Sequence, residues 1–516
     1  MNPSRLDHVS FRLDPSDDVA VARADIAPGD HLDDDGRLVT VPAPVPAGHK
    51  LAVRGIAEGA PVRKYGQVIG FASRPIEPGD HVHTHNLVFR PFDRDHRTGV
   101  DARPTDHVPE AERATFDGYV RADGRVGTRN YLAVLTTVNC SATAARAIAR
   151  QLETSGVLRQ YPGVDGVVAL THTLGCGTAG AGNEGFEVLR RTLTGYAHHP
   201  NIAGLLVLGL GCEVNQIRDL VDGWGPAADR PVRTMTVQEL GGTRRTVAAG
   251  VAALEEMLPA AGALRRVPVP ASELILAMEC GGSDAWSGVT ANPALGAAAD
   301  LLVRHGGTAV FGETTEIYGA EHLLTRRAVS TEVGDKLLDR IRWWEKQVQA
   351  DGSSIDNNPS PGNKAGGLTT ILEKSLGAVA KGGTTALCDV VRYAEPITGR
   401  GLVFMDTPGY DPVNATGMVA GGATVLCFTT GRGSAFGCKP TPSIKLATNT
   451  PLYERMRDDM DLDCGPVADG TYTVQEMGRQ IFDLILDVAS GRRRTASEEL
   501  GYGDEEFVPW QLSTTL

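Results

Sequence analysis

The sequence lacks the marks of a membrane-spanning, nucleic-acid-binding or secreted protein. No apolar run reaches the length of a membrane span, and the opening MNPSRLDHVSFRLDPSDD lacks the apolar core of a signal peptide. The net charge is −13 and no block of like charge stands out, which argues against a nucleic acid or an anionic membrane as partner. We therefore expect a cytoplasmic protein that acts on a small molecule.

Two further absences narrow the chemistry. No segment matches a P-loop or the full glycine fingerprint of a dinucleotide-binding fold, so nucleotide binding has weak support. The 8 cysteines show no close pairing, which disfavours a structural zinc site. In the cytoplasm they are expected to be reduced, and to serve as core residues, metal ligands or redox groups.

What the sequence does have is length and glycine. Its 516 residues exceed one ordinary core, and its 61 glycines suggest many tight loops. Residues 1–92 consist of short β-like runs broken by Gly and Pro turns, which predicts a small all-β module. Residues 93–115 are polar and contain proline, and this composition indicates a linker.

The remaining residues predict two α/β domains, 116–268 and 269–516. Apolar strands such as YLAVLTTV and IAGLLVLGLG alternate with helices such as SATAARAIARQLETSG, for which Ser141 is the predicted N-cap. This alternation indicates βαβ units with largely parallel sheets. A boundary between the two domains is predicted near RVPVPASE.

Three histidines in the stretch PGDHVHTHNL are each separated by one residue. In a β-strand, alternate side chains share a face, so His81, His83 and His85 would lie together. Three imidazoles on one face would add little stability as core residues, and they repel one another when protonated. The spacing therefore favours metal binding or proton transfer over a solvated edge strand.

Cysteines follow several predicted strands at the point where each strand ends. Cys140, Cys176, Cys212 and Cys280 all occupy such junctions, and His172 lies in one of the same loops. Ligands of open α/β sheets bind beyond the carboxyl ends of the strands, so these side chains are expected to share one site. The alternative is that each cysteine is a small buried core residue.

Three loops combine glycine with groups that bind anions. They contain Arg125 and Arg129 in RADGRVGTRN, Asn363 and Lys364 in NPSPGNKAGG, and Arg432 in TTGRGSAFG. Guanidinium forks bind carboxylates in bidentate fashion, and glycine-rich turns bring backbone N–H groups close to an anion. The alternative for each loop is a turn with solvated charges.

Together, GYVRADGRVGTRNY, THTLGCG, GLGCE, ECGGSD, SGVTANP, PGNKAGG and TTGRG resemble the altronate/galactarate dehydratase family. The resemblance extends from about residue 15 to the C-terminus, and its first part resembles the β-clip module called SAF. It implies dehydration of a sugar acid to a 2-keto-3-deoxy acid, usually with Fe²⁺ or another divalent metal such as Mn²⁺. HTLGCGTAGAGNEGFEVLRRT and EEFVPWQ favour an altronate dehydratase over a galactarate dehydratase.

This chemistry assigns roles to the candidate residues. A base must remove the weakly acidic C2 proton, a Lewis acid must stabilise the resulting charge, and an acid must protonate the departing C3 hydroxyl. We expect His172, His85 and His83 in proton transfer and Arg125, Arg129, Asn363, Lys364 and Arg432 on the substrate. The expected metal ligands are His83, His85, Cys176, Cys212 and Cys280, with Cys140 a weaker candidate and His81 ranked lower.

Several alternatives stay open at this point. The cysteines could hold an iron–sulfur cluster in place of a single ion. The substrate could be galactarate or another hydroxy acid, because related members act on sulfolactate. A non-catalytic regulator that binds sugar acids is the alternative of another class, and a homo-oligomer is possible.

Overall fold

Short strands and tight turns build the N-terminal module of the computed structural model, which describes residues 4–224 and 230–516. The elements are β1 (Ser4–Arg5), α1 (Leu6–Val9), β2 (Ser10–Phe11), β3 (Val19–Ala22), β4 (His31–Asp34), β5 (Arg37–Thr40), β6 (Lys50–Ala52), β7 (Pro61–Lys64), β8 (Gln67–Ala72), β9 (His81–Val82) and β10 (Leu87–Val88). They form three sheets, ordered β1-β4-β5, β2-β3-β6-β9 and β10-β8-β7. Gly79, with φ +94°, turns the chain into β9 where a Cβ would lie 2.1 Å from the Thr40 carbonyl oxygen.

A parallel sheet forms the second domain. Its elements are β11 (Thr115–Val120), β12 (Val126–Gly127), β13 (Tyr131–Thr136), α2 (Ala142–Ser155), β14 (Gly166–Leu170), α3 (Glu184–Ala197), β15 (Ile202–Gly209), α4 (Ile217–Asp222), β16 (Val232–Thr236), α5 (Thr243–Ala263) and β17 (Val267–Pro270). The main sheet is 4-stranded, in the order β14-β13-β15-β16 with every pair parallel. A small antiparallel sheet, β12-β11-β17, joins the start and the end of this domain.

A larger parallel sheet forms the C-terminal domain. Its strands are β18 (Ile275–Cys280), β19 (Thr308–Phe311), β20 (Leu387–Val391), β21 (Gly401–Met405), β22 (Val425–Thr430), β23 (Ser443–Ala447) and β24 (Leu462–Asp463). They form a 7-stranded sheet in the order β20-β21-β19-β18-β22-β23-β24. Its helices are α6 (Ala291–Arg304), α7 (His322–Thr325), α8 (Thr331–Ala350), α9 (Pro361–Ala365), α10 (Ile371–Val379), α11 (Asp411–Ala420), α12 (Thr450–Arg455), α13 (Val474–Ala489) and α14 (Ala496–Glu499).

The predicted fold class, a small β module followed by parallel α/β domains, is confirmed. The central strands of the two parallel sheets, such as β13, β15, β21 and β22, are fully buried, as expected for sheets covered on both faces. Ser141 precedes α2 as predicted but does not cap it, because its hydroxyl donates to the carbonyls of Val138 and Leu208. Among the described residues, no helix combines the length and apolarity needed to cross a membrane.

A buried ionic cluster docks the N-terminal module onto the C-terminal domain. Lys50 on β6 and Lys64 on β7 each donate to Glu373 on α10, with N–O distances of 2.9 Å. Lys50 also donates to the Gly367 carbonyl oxygen at 2.7 Å. All three charged side chains are at most 1% exposed. Although burial raises the pKa of Glu373, the two ammonium groups dominate and lower it to about 2.

Glu373→Gln is expected to destabilise the protein by about 3–5 kcal/mol at pH 7, because it leaves two ammonium groups buried without a counter-charge. A carboxyl whose pKa is depressed on folding stabilises above its unfolded pKa of about 4.3, and that contribution is lost as the pH falls further. The contribution of the Glu373 carboxylate to the difference between parent and variant should thus be complete at about pH 5 and shrink below about pH 4.

Urea unfolding followed by tryptophan fluorescence measures this difference. Glu332→Gln is the matched control, because Glu332 is 79% exposed and pairs only with Lys336 on the same helix. The control should change stability by less than about 0.5 kcal/mol. Equal midpoints for Glu373→Gln and Glu332→Gln would contradict the anchoring role of the cluster.

Candidate active site

Three histidines of the N-terminal module form a ring cluster, but they are not the three that the sequence spacing suggests. His81 lies on β9, His83 follows that strand, and His49 immediately precedes β6, the antiparallel partner of β9. Nδ1 of His49 is 3.0 Å from Nε2 of His81. One ring nitrogen from each of the three residues lies within 4.8 Å of the others.

The prediction that His85 shares a strand face with His81 and His83 is wrong, because the strand ends at Val82. Asn86 accepts a hydrogen bond from the His83 backbone N–H at 2.9 Å and so closes a turn over residues 83–86. His85 lies exposed in this turn, with its ring centroid 5.5 Å from that of His81. It is not part of the close group of ring nitrogens.

The clustered histidines are in the neutral form that binds metal ions. Burial and the neighbouring cationic groups lower the pKa of His81 to about 3 and of His83 to about 4, and burial also lowers the pKa of His49. The rings are therefore neutral at pH 7, and His49 and His81 hydrogen-bond to each other through Nδ1 and Nε2. Nδ1 of His83 is buried and has no hydrogen-bond partner, so a polar atom in this cluster lacks its natural neighbour.

A cleft of about 480 Å³ opens between the N-terminal module and the carboxyl edge of the 7-stranded sheet, and of the clustered histidines His49 lines it, whereas His81 and His83 do not. This volume suits a small polar molecule rather than a macromolecule. Among the described residues, no part of the second domain lines it. The lining side chains that matter for chemistry are Arg23, His49, Asp284, Trp286, Arg432, Asn449 and Arg455.

Hydrogen bonds hold the loops of the cleft together at a distance that only glycine permits. The Gly431 and Arg432 N–H groups donate to the Gly282 carbonyl, and Asn449 donates to Asp284 at 3.0 Å. A Cβ on Gly431 would lie 2.1 Å from the Asp284 carboxyl carbon. The glycines of the ECGGSD and TTGRG motifs therefore allow the loops after β18 and β22 to pack against each other.

The cleft presents guanidinium groups that are free to bind an anion. Arg432 and Arg455 are exposed, and neither side chain hydrogen-bonds to or forms an ion pair with any residue in 4–224 or 230–516. Arg23 is braced by its contacts with the Ala468 carbonyl and the Phe11 ring. The predicted substrate contact at Arg432 thus has the required position, and stays a prediction.

Asn363 and Lys364 lie beside the cleft in supporting positions. Asn363 completes a capping box with Ser360 at the start of α9 and donates to the Ser283 carbonyl at 2.8 Å. Its amide is therefore used to hold two loops together. Lys364 is half-buried and adjoins Ala365, which lines the cleft, but Lys364 itself is not among the lining residues.

Arg129 and Arg125 do not reach the cleft, and the prediction of a substrate carboxylate on Arg129 is wrong. Arg129 is 2% exposed, and its guanidinium forks onto Glu498 with N–O distances of 2.5 and 2.9 Å. It also donates to the Thr128 and Val488 carbonyls. Arg125 is exposed and pairs with Asp123 two residues away.

Cys280 lies in a buried cluster of carboxylates and lysines at the end of β18. Nζ of Lys381 is 2.9 Å from its sulfur and 3.0 Å from Glu313. Burial raises the pKa of Cys280 to about 12, so the group is a thiol at neutral pH. Cys280, Glu313 and Glu316 nevertheless offer ligand atoms within 4.8 Å of one another, so the metal-ligand role of Cys280 stays a prediction.

The same cluster contains charged residues that pattern reasoning missed. Lys374 donates to Glu316 at 2.7 Å, and Asn414 donates to Glu279. Burial, with the nearby Glu313, raises the pKa of Asp411 to about 7. In the sequence, this cluster could have been recognised from the several charged residues that occur in otherwise apolar segments of the C-terminal domain.

The remaining candidates lie at the carboxyl edge of the 4-stranded sheet, in the second domain. Cys140, Cys176 and Cys212 follow β13, β14 and β15 and are all exposed. His172 is 5% exposed, and its burial lowers its pKa to about 4. The structure thus assigns these four residues to a sheet edge other than that of Cys280, and none of them lines the cleft.

Comparisons with known proteins bear on the whole chain. Three family models match: "Altronate/galactarate dehydratase SAF domain" over residues 8–90, "D-galactarate dehydratase/Altronate hydrolase, second domain" over 118–262, and "D-galactarate/Altronate dehydratase, C-terminal" over 271–515.

Individual relatives cover most of the sequence. The galactarate dehydratase (L-threo-forming) of Escherichia coli (strain K12) is 39% identical over 470 residues, which cover 90% of each chain. The altronate dehydratase of Bacillus subtilis (strain 168) is 35% identical over 486 residues, covering 93% of this chain and 95% of that one. The (2R)-sulfolactate sulfo-lyase subunit beta of Chromohalobacter salexigens is 35% identical over 406 residues, 78% of this chain and 99% of that one.

The role of Arg129 as a structural brace can be tested directly. Arg129→Ala is expected to destabilise the protein by about 3–5 kcal/mol, because it leaves Glu498 buried and unpaired. Arg129→Lys should recover only part of this loss, since an ammonium cannot form the fork. Chemical denaturation measures both variants, and Arg125→Ala, at an exposed pair, should cost less than about 1 kcal/mol.

Proposed function

Because the chain belongs to the altronate/galactarate dehydratase family, we propose that it dehydrates a sugar acid of the altronate or galactarate type to a 2-keto-3-deoxy acid. Its class as a carbon–oxygen hydro-lyase follows from the same relatives. Identities of 39% to a galactarate dehydratase and 35% to an altronate dehydratase do not favour one substrate over the other.

The single observation that carries this proposal is the cleft itself. It joins His49, one member of the histidine cluster, to free guanidinium groups on the C-terminal domain, around a volume of about 480 Å³. A polyhydroxy carboxylate needs both features, because its carboxylate requires cationic donors and its C2–H is very weakly acidic. We assign the carboxylate of the substrate to Arg432 and Arg455.

The histidine cluster fits a divalent metal. Neutral imidazole nitrogens of His49, His81 and His83 lie within 4.8 Å of one another. Nδ1 of His83 has no hydrogen-bond partner, which is consistent with a metal ion binding beside it. Imidazole ligands suit first-row transition metals, so Fe²⁺ is the first candidate and Mn²⁺ the second. When bound, such an ion supplies a Lewis acid for the charge that develops on the substrate.

Proton transfer is assigned to a residue beside the metal ligands. His85 lies outside the close group, yet its ring is 5.5 Å from that of His81. Burial, with the charge of Arg74, lowers its pKa, which favours the neutral form of the ring at pH 7. We propose that a His85 ring nitrogen exchanges the proton at C2 or at the departing C3 hydroxyl. Asp284 and Asn449 orient the loops that hold the substrate.

A turnover assay with altronate and with galactarate tests the proposal. The purified protein is stripped with a chelator and reloaded with Fe²⁺ or Mn²⁺, and 2-keto acid formation is followed. We expect activity only after reloading. Binding of either acid by the metal-loaded protein without turnover would favour the regulator, and full activity without metal would exclude the metal-dependent mechanism.

The ligand assignment has a readout independent of activity. His83→Ala should lose the iron bound at the histidine cluster, measured by elemental analysis after equilibration with Fe²⁺, because one of three imidazoles is removed. His8→Ala is the matched control, since His8 belongs to the same module and is 71% exposed. Equal iron content in the two variants would contradict the assignment.

Arg432→Ala is expected to lower kcat/KM by about tenfold to a hundredfold, because a charge-assisted hydrogen bond contributes about 1.5–3 kcal/mol. Arg432→Lys should recover little of this if the contact is a bidentate fork. Arg218→Ala is the control, since Arg218 is 89% exposed on α4, outside the cleft. A near-normal Arg432→Ala enzyme would show that the substrate carboxylate binds elsewhere.

A further inference from the structure

The exposed cysteines of the chain are gathered at one place. Of the 8 cysteines, Cys140, Cys176 and Cys212 are exposed, and the other five are buried or half-buried. Cysteine is among the residues most often found in protein cores, so three exposed thiols need an explanation. All three belong to the second domain, whose side chains the proposed dehydration does not use.

Sheet topology brings these cysteines together. They follow β13, β14 and β15, which are neighbours in the sheet in the order β14-β13-β15. All three strands are parallel, so their carboxyl ends meet at one edge. The loops are also tied to each other, because Asn139 N–H donates to the Leu174 carbonyl and Val214 N–H donates to the Cys176 carbonyl, each at 2.9 Å.

A buried polar group at the same edge lacks a partner. His172 lies between the loops of Cys140 and Cys176, since Asn139 donates to its carbonyl and Leu174 N–H donates to its Nδ1. Its Nδ1 is thereby an acceptor, which places the proton of the neutral ring on Nε2. That Nε2 is buried and has no hydrogen-bond partner. The ring is 95% buried, and the backbone of Thr136 and Thr137 lies near enough to influence its pKa.

The sulfurs are not preset for a single zinc ion. Thiolates around one zinc ion lie about 3.8 Å apart, given tetrahedral bonds of about 2.3 Å. Among the described residues, the three cysteines do not form a group within 4.8 Å. In an iron–sulfur cluster each thiolate binds a different iron, so the sulfurs are held farther apart. Nε2 of Gln238 is 3.3 Å from the Cys212 sulfur, and such hydrogen bonds tune cluster potentials.

We propose that Cys140, Cys176 and Cys212 bind an iron–sulfur cluster of the [4Fe–4S] type with one iron free of cysteine ligation. This site is separate from the histidine cluster, and the inference does not depend on the proposed dehydration. The three thiolates would each bind one iron, and the fourth iron would lack a cysteine ligand. The ligands come from one domain, so the cluster assembles without the cleft.

Anaerobic reconstitution of the full chain with Fe²⁺ and sulfide tests the proposal. We expect broad visible absorption, acid-labile sulfide in the protein, and an electron paramagnetic resonance signal after reduction. Mild oxidation should release one iron and leave a three-iron cluster. Zinc or iron bound without labile sulfide, or no metal at this edge, would overturn the assignment.

Single variants locate the ligands. Cys140→Ser, Cys176→Ser and Cys212→Ser should each lose the absorption and the labile sulfide, whereas Cys388→Ser, at a half-buried cysteine of the C-terminal domain, should retain both. Circular dichroism checks that each variant is folded. Retention of the cluster by the three site variants would contradict the proposal.

Two more variants separate this site from the others. Gln238→Leu should keep the cluster but lower its reduction potential, because a hydrogen bond to a ligand sulfur is lost. His83→Ala should keep the labile sulfide while losing iron from the histidine cluster. Loss of labile sulfide in His83→Ala would show that the signal does not come from a cysteine site independent of the cleft.

Discussion

The candidate cleft depends on the buried carboxylate of Glu373. Its two oxygens bind Lys50 and Lys64, and these two contacts fix the N-terminal module on the C-terminal domain. Lys50 follows His49 directly in the chain and also donates to the carbonyl of Gly367, the neighbour of a cleft residue. One interaction therefore sets the distance between the histidine cluster and the anion-binding loops. Burying these charges is costly unless every one is paired, and here they are.

More of the fold than of the candidate site could be predicted from the sequence. Apolar runs and their alternation with helices depend on local spacing, so β13, β15, β18 and β22 were identifiable. The partner of Arg129 was not, because Glu498 lies 369 residues away and only tertiary packing brings the two together. His49 joins its cluster through the pairing of β6 with β9, which no local pattern reveals. His85 was misplaced because the side chain of Asn86 closes a turn where continued alternation was assumed.

The two parallel sheets direct different chemistry to their carboxyl edges. At the 7-stranded sheet, the edge carries carboxylates, lysines and free guanidinium groups, and the N-terminal module covers part of it. At the 4-stranded sheet, the edge carries exposed thiols and one buried histidine. Both follow the rule that ligand sites form where parallel strands end. The exposed thiols are thereby confined to the second domain, whereas Cys280 at the 7-stranded sheet is buried among carboxylates.

Net charge limits how the cleft can attract its substrate. The protein carries −13, so its long-range field repels an anion, and at physiological ionic strength this field is screened beyond about 8 Å. Association is therefore not accelerated by the overall charge. Affinity must arise within contact distance, from Arg432 and Arg455 and from the metal that the histidines would hold. Raising the salt concentration should consequently leave kcat/KM nearly unchanged or raise it slightly, whereas a cleft that relied on long-range attraction would lose activity as salt is added.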